Sequence, residues 1–390
     1  PYRGWLANKR YPDKDTGLPG SIGLDYTYTA AGRLHPRTWA RGITTTYGHN
    51  NAGDLETVAY DDGTTANLTY GHDRQGRRSS VTQGGNTAAL AYNDSSQLLS
   101  EANSAGTLAG LSVTNGYDGY LRRASLSARN AGTALAHHSF GYDSASRLQT
   151  VTDDTGATAY SATYAYAPNS ALISQVVFKQ AGTTRLTTTK QHDYLNRLTQ
   201  IQSAPSASSA VGSSYVYNNA NQRVRSTFAD GSYWLYEYDS LGQVRSGRKY
   251  WADQTPVAGQ QFEYGFDDIG NRTFTKAGGD ENGVNLRYAG YTPNRLNQYT
   301  SRDVPGAVDV MGLSFATNTV TVNSQAAYRK GEYFRKEVSV SNGSVPVWQS
   351  ITVAATGQSA VTGNAFVPKT QEIFYHDADG NLTNDGRWTY

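Results

Sequence analysis

The sequence predicts an all-β protein built from antiparallel hairpins, and three observations support this fold class. Tyrosine is abundant, with 29 residues in a chain of 390, and tyrosine and threonine favour half-buried strands. Forty glycines, together with many Asn and Asp residues, supply tight turns. The sequence lacks the long runs of Ala, Leu, Glu and Lys that would indicate helices. Short strands separated by frequent turns are therefore expected along the whole chain.

The charge and cysteine content exclude several classes of function. The 34 basic and 32 acidic residues give a formal net charge of +2 and are mixed along the chain, so no basic face for nucleic acid is predicted. The chain has no cysteine, which excludes disulfides and thiolate metal ligands. No apolar run reaches the length of a membrane span, and the opening residues PYRGWLANKR lack the apolar core of a signal peptide.

An aromatic or histidine residue recurs at short, nearly regular intervals. Eleven successive steps between these anchor positions measure 20 to 28 residues, and the last step measures 85. That gap, from about 300 to 370, is expected to hold degenerate units marked by Tyr328, Tyr333 and Trp348. One continuous array over residues 1–390 is therefore predicted. The predicted structural anchors are Tyr28, His49, His72, Tyr92, Tyr117, Tyr142, Tyr166, His192, Tyr217, Tyr238, Phe266, Tyr291 and His376.

Each repeat unit is predicted to contain two strands and two turns. Two aromatic residues separated by one position, such as Tyr164 and Tyr166, project to the same face of a strand. A turn follows, often ending in a glycine that supplies a positive φ. A second strand and a second turn then lead to the next unit. The expected first residues of second strands include Leu34, Leu55, Leu148, Val244 and Leu382.

The number of strands restricts the shape of the sheet. About thirty strands at about 4.8 Å each would extend for about 140 Å. Open twisted sheets of more than about ten strands curl or split, so this sheet is expected to roll up. A tube of that perimeter is about 45 Å across, too wide for its own side chains to fill. A spiralling hollow shell is predicted, with Tyr rings stacked from unit to unit. A β-propeller is the alternative, although the unequal steps disfavour equal blades.

Several segments share one pattern, which carries a family resemblance. YTAAGRL at 28–34, YDSASRL at 142–148, YDSLGQV at 238–244 and HDADGNL at 376–382 are four examples. They resemble the repeats of the YD-repeat, or RHS (rearrangement hotspot), family, over nearly the whole chain. That family includes bacterial polymorphic toxins, cocoon-forming subunits of insecticidal toxin complexes and the teneurin adhesion receptors. The resemblance implies a spiralling β-shell around a cavity, which in the toxins holds a C-terminal effector domain.

The resemblance also implies parts that lie outside this sequence. Family shells are closed by a core region that ends in an Asp-Pro motif linked to self-cleavage, and no Asp-Pro occurs here, since Val304 precedes Pro305. The sequence begins within an expected strand and stops at Tyr390, where the next aromatic pair should begin. We therefore expect both ends to be cuts through a longer array.

The predicted function is structural and non-enzymatic. The chain is expected to be a shell segment of a large bacterial protein, secreted or at the cell surface, whose partner is an enclosed C-terminal effector polypeptide. No nucleic-acid partner, membrane span or cofactor is predicted. The alternative is an extracellular adhesion or matrix-forming protein that binds a surface glycan or a protein receptor. A third class is a carbohydrate-binding or carbohydrate-active protein.

Residues with catalytic or metal-binding chemistry are assigned structural roles. Four of the seven histidines are anchors spaced far apart, and the neighbours His137 and His138 should face opposite sides of a strand. A glycosidase needs two carboxyl groups across a bond, but each acidic pair lies at a predicted turn, where Asp caps its own backbone. These pairs are Asp61-Asp62, Asp153-Asp154 and Asp267-Asp268.

Two further segments and a set of four arginines are also assigned structural roles. The start of a calcium loop is suggested by Asp377, Asp379 and Asn381, but its twelfth position is Trp388 instead of Glu. The stretch at 203–214 is predicted to be a long hairpin loop. Four recurrent arginines are expected to pair with a carboxylate or to stack on a Tyr ring. They are Arg33, Arg147, Arg197 and Arg272.

Overall fold

The computed structural model describes residues 4–13, 15–16 and 18–390, and its regular structure is almost entirely β. It contains 35 strands, close to the number expected, and the helical structure of the described residues is one 3₁₀ turn, Gly106–Leu108. Twenty-six strands form one long antiparallel sheet. The prediction of an all-β fold made of antiparallel hairpins is confirmed. Within the described ranges, no helix has the length and apolar character needed to cross a membrane.

The chain divides into two compact units, the first formed by Pro1–Arg10 and Gly23–Gly212. Its strands follow one another as a meander in which each pairs antiparallel with its neighbours. The first two strands, β1 (Asn8–Pro12) and β2 (Pro19–Tyr28), have residues in both units. The others are β3 (Leu34–Thr38), β4 (Thr44–His49), β5 (Leu55–Tyr60), β6 (Leu68–His72), β7 (Arg78–Gln83), β8 (Asn86–Tyr92), β9 (Leu98–Asn103), β10 (Leu111–Tyr117), β11 (Arg123–Asn130), β12 (Thr133–Tyr142), β13 (Leu148–Asp153), β14 (Tyr160–Tyr166), β15 (Ile173–Gln180), β16 (Thr183–His192) and β17 (Leu198–Pro205).

The second unit contains Tyr11–Ile22 and Ser213–Tyr390. Its meander strands are β18 (Val211–Tyr217), whose first two residues belong to the first unit, β19 (Arg223–Phe228), β20 (Tyr233–Tyr238), β21 (Val244–Tyr250), β22 (Pro256–Phe266), β23 (Arg272–Gly278), β24 (Leu286–Pro293) and β25 (Tyr299–Arg302). The later strands are β26 (Ala307–Leu313), β27 (Val320–Val322), β28 (Gln325–Ala326), β29 (Tyr328–Lys330), β30 (Tyr333–Ser339), β31 (Val347–Ala355), β32 (Val361–Val367), β33 (Glu372–Ile373), β34 (Tyr375–His376) and β35 (Leu382–Asn384).

A register shift recurs in the hairpin that follows each anchor. In the β12–β13 hairpin, Gly141 pairs with Thr150 whereas Tyr142 pairs with Leu148, so Gln149 is an extra, bulged residue. All five expected second-strand starts are confirmed, because β3, β5, β13, β21 and β35 begin at those residues. In each unit we call the sheet face that carries the anchor side chains the anchor face, and the other the opposite face.

Residues 303–371 do not form degenerate repeat units, which corrects that prediction. β26, β29 and β30 form a three-stranded sheet, and β27, β28, β31 and β32 form a four-stranded one. The meander resumes when β33 pairs with β25, through Ser301 with Ile373 and Arg302 with Glu372. The stretch is therefore an insertion within one repeat unit, and we refer to residues 303–371 as the insertion.

The insertion has a small apolar core of its own. Val320, Val322 and Phe334 are buried, and partly buried residues such as Ile351 and Val353 pack against them. Its two ends are joined by the buried Asn342, whose Nδ2 donates to the carbonyl oxygens of Val304 at 3.1 Å and Pro368 at 2.7 Å. The markers Tyr328 and Tyr333 thus lie in the three-stranded sheet and Trp348 in the four-stranded sheet.

The stretch 203–214 is shorter as a loop than predicted. Residues 203–205 complete β17 and residues 211–214 begin β18, which leaves only 206–210 between the strands.

Candidate functional site: the repeat rung

The turn after each anchor is closed by an Asp or Asn side chain. Asp143 Oδ1 accepts hydrogen bonds from the backbone N–H groups of Ala145 and Arg147, both at 2.9 Å. Its Oδ2 accepts from Arg147 Nε at 2.8 Å. Ser146 completes the turn in the left-handed region, with φ 60°, where other units place glycine. The same contacts recur at Asp73, Asp118 and Asp193.

These contacts lower the pKa of the carboxyl groups. For Asp73 and Asp118 the main cause is the hydrogen bond donated by the arginine side chain four residues later. For Asp143 it is the backbone N–H of Arg147, with the Arg147 guanidinium as a further cause. Each carboxylate is therefore held in its charged form by its own turn, and it is not poised to transfer a proton near neutral pH.

The arginine of the turn reaches towards the next repeat unit. The Arg122 guanidinium carbon lies 4.4 Å from the centre of the Tyr142 ring, and the Arg147 carbon lies 4.3 Å from that of Tyr166. Arg122 Nη1 also donates to Ser146 Oγ at 3.0 Å. Arg147 Nη1 donates to the Ser170 carbonyl oxygen at 2.6 Å. One side chain thus connects its own turn, the next anchor ring and the next turn.

The anchor hydroxyl makes a second connection between units. Tyr142 Oη donates to the Arg123 carbonyl oxygen at 2.8 Å, and Tyr117 Oη donates to that of Leu98 at 3.0 Å. Tyr92 and Tyr238 make equivalent bonds at 2.9 Å and 2.7 Å. We call the turn carboxylate or amide, the arginine four residues later and the next anchor ring a repeat rung.

The anchor rings do not stack on one another in unit 1, which corrects the prediction of Tyr ladders. Between residues 23 and 212, successive anchor rings make no ring–ring contact. Successive anchors are two strands apart, about 9.6 Å, whereas stacked rings need centres about 4.5–7 Å apart. Each of Tyr92, Tyr142 and Tyr166 instead has on its ring the arginine of the preceding turn.

The structure places the anchor positions at the register shifts. Tyr291 is the exception, because the shift there falls between Thr292 and Pro293, so Pro293, two residues later, occupies the equivalent position and pairs with Tyr299. The residues directly at a shift are Tyr28, His49, His72, Tyr92, Tyr117, Tyr142, Tyr166, His192, Tyr217, Tyr238, Phe266 and His376.

A member of the repeat that the sequence did not single out is the glycine directly before the anchor. A Cβ added at Gly141 would lie 2.3 Å from Thr150 Oγ1, and one at Gly265 would lie 2.2 Å from the Phe274 ring. Contacts of this kind also occur at Gly48, Gly71 and Gly116. The signal was present in the triplets Tyr-Gly-His at 47–49 and 70–72.

Solved structures share this architecture. A crystal structure of TcdB2-TccC3-Cdc42 matches with a TM-score of 0.62 and 13% identity, over 98% of this chain and 20% of that one. A crystal structure of TcdB2-TccC3 matches with a TM-score of 0.61 and 12% identity, over the same shares. This chain shares the fold of these two structures, and its sequence resembles the YD-repeat (RHS) family. It spans about a fifth of the chains it matches. No protein-family model and no curated protein matches the sequence.

The histidines of the YD repeat lie apart from one another. His49, His72, His192 and His376 are at separate anchor positions, and the described residues contain no cluster of His and acidic groups that could hold a metal ion. His137 contacts Asp154 through Nδ1, while His138 Nδ1 lies 4.0 Å from Asp153 Oδ1.

Most residues of the acidic pairs accept hydrogen bonds from the turns and strands of the repeat. Asp62 caps the N–H groups of Thr64 and Thr65, and these bonds, led by the Thr65 hydroxyl, lower the pKa of Asp62 to about 2. Asp267 caps its own turn through Ile269 and Asn271, and Asp153 accepts from Thr155. Asp61 accepts from the N–H of Thr44 on the neighbouring strand.

The turn at 376–380 follows the same rule. Asp377 Oδ1 accepts from the N–H groups of Asp379 and Asn381 at 2.9 Å and 2.8 Å. Its Oδ2 accepts from Asn381 Nδ2 at 2.9 Å. Three of the four recurrent arginines also behave as expected, since Arg147 and Arg197 pair with carboxylates and Arg272 lies 5.4 Å from the Tyr264 ring centre.

The cavity beneath the insertion already has its charges paired. It has a volume of about 410 Å³ and lies between the insertion and the anchor face of unit 2. Arg287 within it contacts Asp309 and Glu337, and Arg302 contacts Glu372. The arrangement provides structural ion pairs and leaves neither arginine available for an anionic ligand.

Proposed function

We propose that this chain is a wall segment of a bacterial toxin-like shell that encloses a polypeptide until delivery. The observation that carries the proposal is the repeat rung, in which the charged and aromatic side chains of each unit bind the turn and ring of the next unit. A wall built in this way grows by adding identical steps and needs no chemistry of its own. The fold likeness to TcdB2-TccC3 supports the same role.

The enclosed partner in this proposal is a C-terminal effector polypeptide of the same larger protein. One of the matched structures combines TcdB2 and TccC3 with Cdc42. A shell of this kind keeps an effector away from proteases and from the cell that makes it. We further propose that the protein is secreted or displayed at the cell surface.

Electron microscopy and limited proteolysis of the full-length protein test this function together. We expect a hollow particle with internal density, and an effector segment that trypsin cleaves only after the shell is unfolded in urea. A solid rod, separate compact domains, or effector cleavage at the same rate with and without urea would refute enclosure. Digestion of the same effector expressed alone provides the control, because it should be rapid.

One observation favours adhesion as a second function. Trp348 is 71% exposed and its ring centre lies 5.2 Å from that of Phe366, on the insertion surface away from its core. Exposed aromatic pairs provide contact area for sugars and proteins. If adhesion is correct, Trp348→Ala in the full-length protein should abolish binding on glycan arrays or self-association. Leu313→Ala, which removes another exposed side chain, should leave that binding unchanged.

A further inference from the structure

The opposite face of unit 1 has an unusual composition. Cross-strand rows can be followed through the paired registers from β4 to β17, about 65 Å of sheet at ordinary strand spacing. One row contains Gly48, Thr57, Thr69, Thr82 and Thr87. Another contains Gly141, Thr150, Thr163, Val177, Thr187 and Ala204. A third contains Ala91, Ser100, Thr114, Ser127 and His137.

Charged and large apolar side chains are nearly missing from these rows. In the described strands β4–β17, the charged residues of the paired rows on this face are Arg129 and Lys179. Each is the second-last residue of its row, followed by Ala134 and Thr184 respectively. The anchor face of the same strands differs, because it carries the Tyr rings, the rung arginines and residues such as Val58, Leu126 and Phe140. The two faces of unit 1 are therefore chemically distinct.

A face turned to bulk solvent does not explain this composition. Good solubility calls for a surface with about 25–35% charged residues of both signs, and threonine propensity for strands does not require the removal of Lys and Glu. A specific folded partner is also disfavoured, because such interfaces depend on aromatic and Arg anchors. Nucleic acid would need cations, and a lipid surface would need apolar side chains.

We propose that the opposite face of unit 1 lines the side of the wall that faces the enclosed polypeptide, and that it contacts this polypeptide without sequence preference. Hydroxyl and small side chains make weak, exchangeable hydrogen bonds and have no pocket in which an apolar residue could be trapped. An unfolded or partly folded chain of any sequence can therefore lie against this face and leave it. The inference rests on the proposed enclosure and adds which face of the sheet contacts the enclosed polypeptide.

The insertion in unit 2 provides a second, independent observation. Arg287 belongs to the row Tyr236, Gly247, Phe262 and Ala277, so it lies on the anchor face of that unit. It is Arg287 that contacts Asp309 and Glu337 of the insertion. The insertion thus packs on the anchor face and leaves the opposite face of these repeats uncovered. This placement is what we expect if the anchor face is the outer face of the wall.

Adjacent alanines in β8 provide a matched test. Ala88 pairs with Val81 on the anchor face and Ala89 with Ser80 on the opposite face, and the chain contains no cysteine. Ala88→Cys and Ala89→Cys would each be made in the full-length protein. Each variant would be treated with N-ethylmaleimide and with a polyethylene-glycol maleimide too large to enter a closed shell. Unfolding in urea would confirm that both thiols can react with the large reagent.

The ratio of large-reagent to small-reagent rates is the first result. We expect it to be more than about tenfold lower for Ala89→Cys than for Ala88→Cys, because only transient opening would expose the lumen. The reverse order would overturn the assignment of the face and leave enclosure standing. Equal reaction of both variants with the large reagent would overturn enclosure itself.

A cross-linking measurement decides the case in which both thiols resist the large reagent, and it also tests the lack of sequence preference. Benzophenone attached at position 89 should cross-link to many peptides of the effector, and benzophenone at position 88 to none. If both thiols resist the large reagent, this measurement decides which face contacts the effector. Cross-links from position 88 alone would refute the proposal. Cross-links from position 89 confined to one effector peptide would refute the absence of sequence preference.

Discussion

At the scale of single residues, the repeat rung explains why the same residue types return along the sequence. Asp closes its own turn, Arg links that turn to the next ring, and the Tyr hydroxyl bonds to the backbone of the preceding unit. Each link is modest, since exposed ion pairs contribute about 0–1 kcal/mol and a hydrogen bond about 0.5–1.5 kcal/mol. The stability of the wall depends on their repetition.

The tyrosine hydroxyl gives the first prediction. Tyr142→Phe removes the hydrogen bond to the Arg123 carbonyl and keeps the ring on Arg122. We expect a loss of about 0.5–1.5 kcal/mol in the free energy of unfolding, measured by urea denaturation. Tyr120→Phe is the control, because Tyr120 is 79% exposed and its hydroxyl makes no hydrogen bond within the described residues. Equal losses in the two variants would contradict the assigned role.

The turn carboxylate gives a pH-dependent prediction. The Arg147 backbone N–H, followed by its side chain, lowers the pKa of Asp143. The stabilisation is therefore fully present above the unfolded pKa of about 3.9 and is lost as the pH falls further, through the lower folded pKa. Asp143→Asn keeps the acceptor for the turn, as Asn93 does, but does not titrate.

The measurement compares melting temperatures of wild type and Asp143→Asn at pH 6 and at a pH below 3. We expect wild type to be the more stable at pH 6 and the difference to shrink at the acidic pH. A difference that stays constant would show that the carboxylate charge does not contribute to this turn.

Residue-scale features were predicted from sequence where the pattern is local. The turn formers and second-strand starts such as Leu34 and Leu148 follow from φ preference and alternation alone. The carboxylate and ring contacts of Arg147 were predicted, but not that the ring belongs to the next repeat unit, because that depends on the spacing between hairpins. The role of Gly141 also escaped prediction, since it depends on Thr150, which belongs to the facing strand.

At the scale of elements, the insertion shows the limit of periodic patterns. Its strands alternate apolar and polar residues as the repeat strands do, and alternation does not identify the partner strand. The pairing of β25 with β33 across residues 303–371 is non-local and leaves no signal in the spacing. The length of the final step, 85 residues, was the one visible irregularity.

The hydrogen bonds that join the two ends of the insertion give the prediction at the scale of elements. Asn342 is 4% exposed, and its amide satisfies the carbonyls of Val304 and Pro368. Asn342→Ala leaves these groups without their partner, which should cost about 1–3 kcal/mol. Amide hydrogen exchange should increase in 303–306 and 368–371 and stay unchanged in β12–β14. Asn364→Ala, at an exposed position of β32, should change neither region.

At the scale of the whole molecule, the array differs from a protein with one central core. Only Leu24, Val58 and Val176 of the hydrophobic residues described in unit 1 are buried, and each keeps 5–7% of its surface exposed. Its contacts join each hairpin to its neighbours, so its stability should be a sum of nearest-neighbour terms. The all-β character and the repeat units outside the insertion were readable from sequence because both follow from repetition.

Double-mutant cycles test this nearest-neighbour stability. Tyr92 and Tyr142 are separated by four strands, about 19 Å, and Tyr92→Phe with Tyr142→Phe should be additive within about 0.5 kcal/mol. Arg122 lies on the Tyr142 ring, so Arg122→Ala with Tyr142→Ala should show a coupling energy above that value. Urea denaturation of each set gives both energies. Strong coupling in the distant pair would mean that energetic interactions extend beyond neighbouring units, and a sum of nearest-neighbour terms would then be the wrong description.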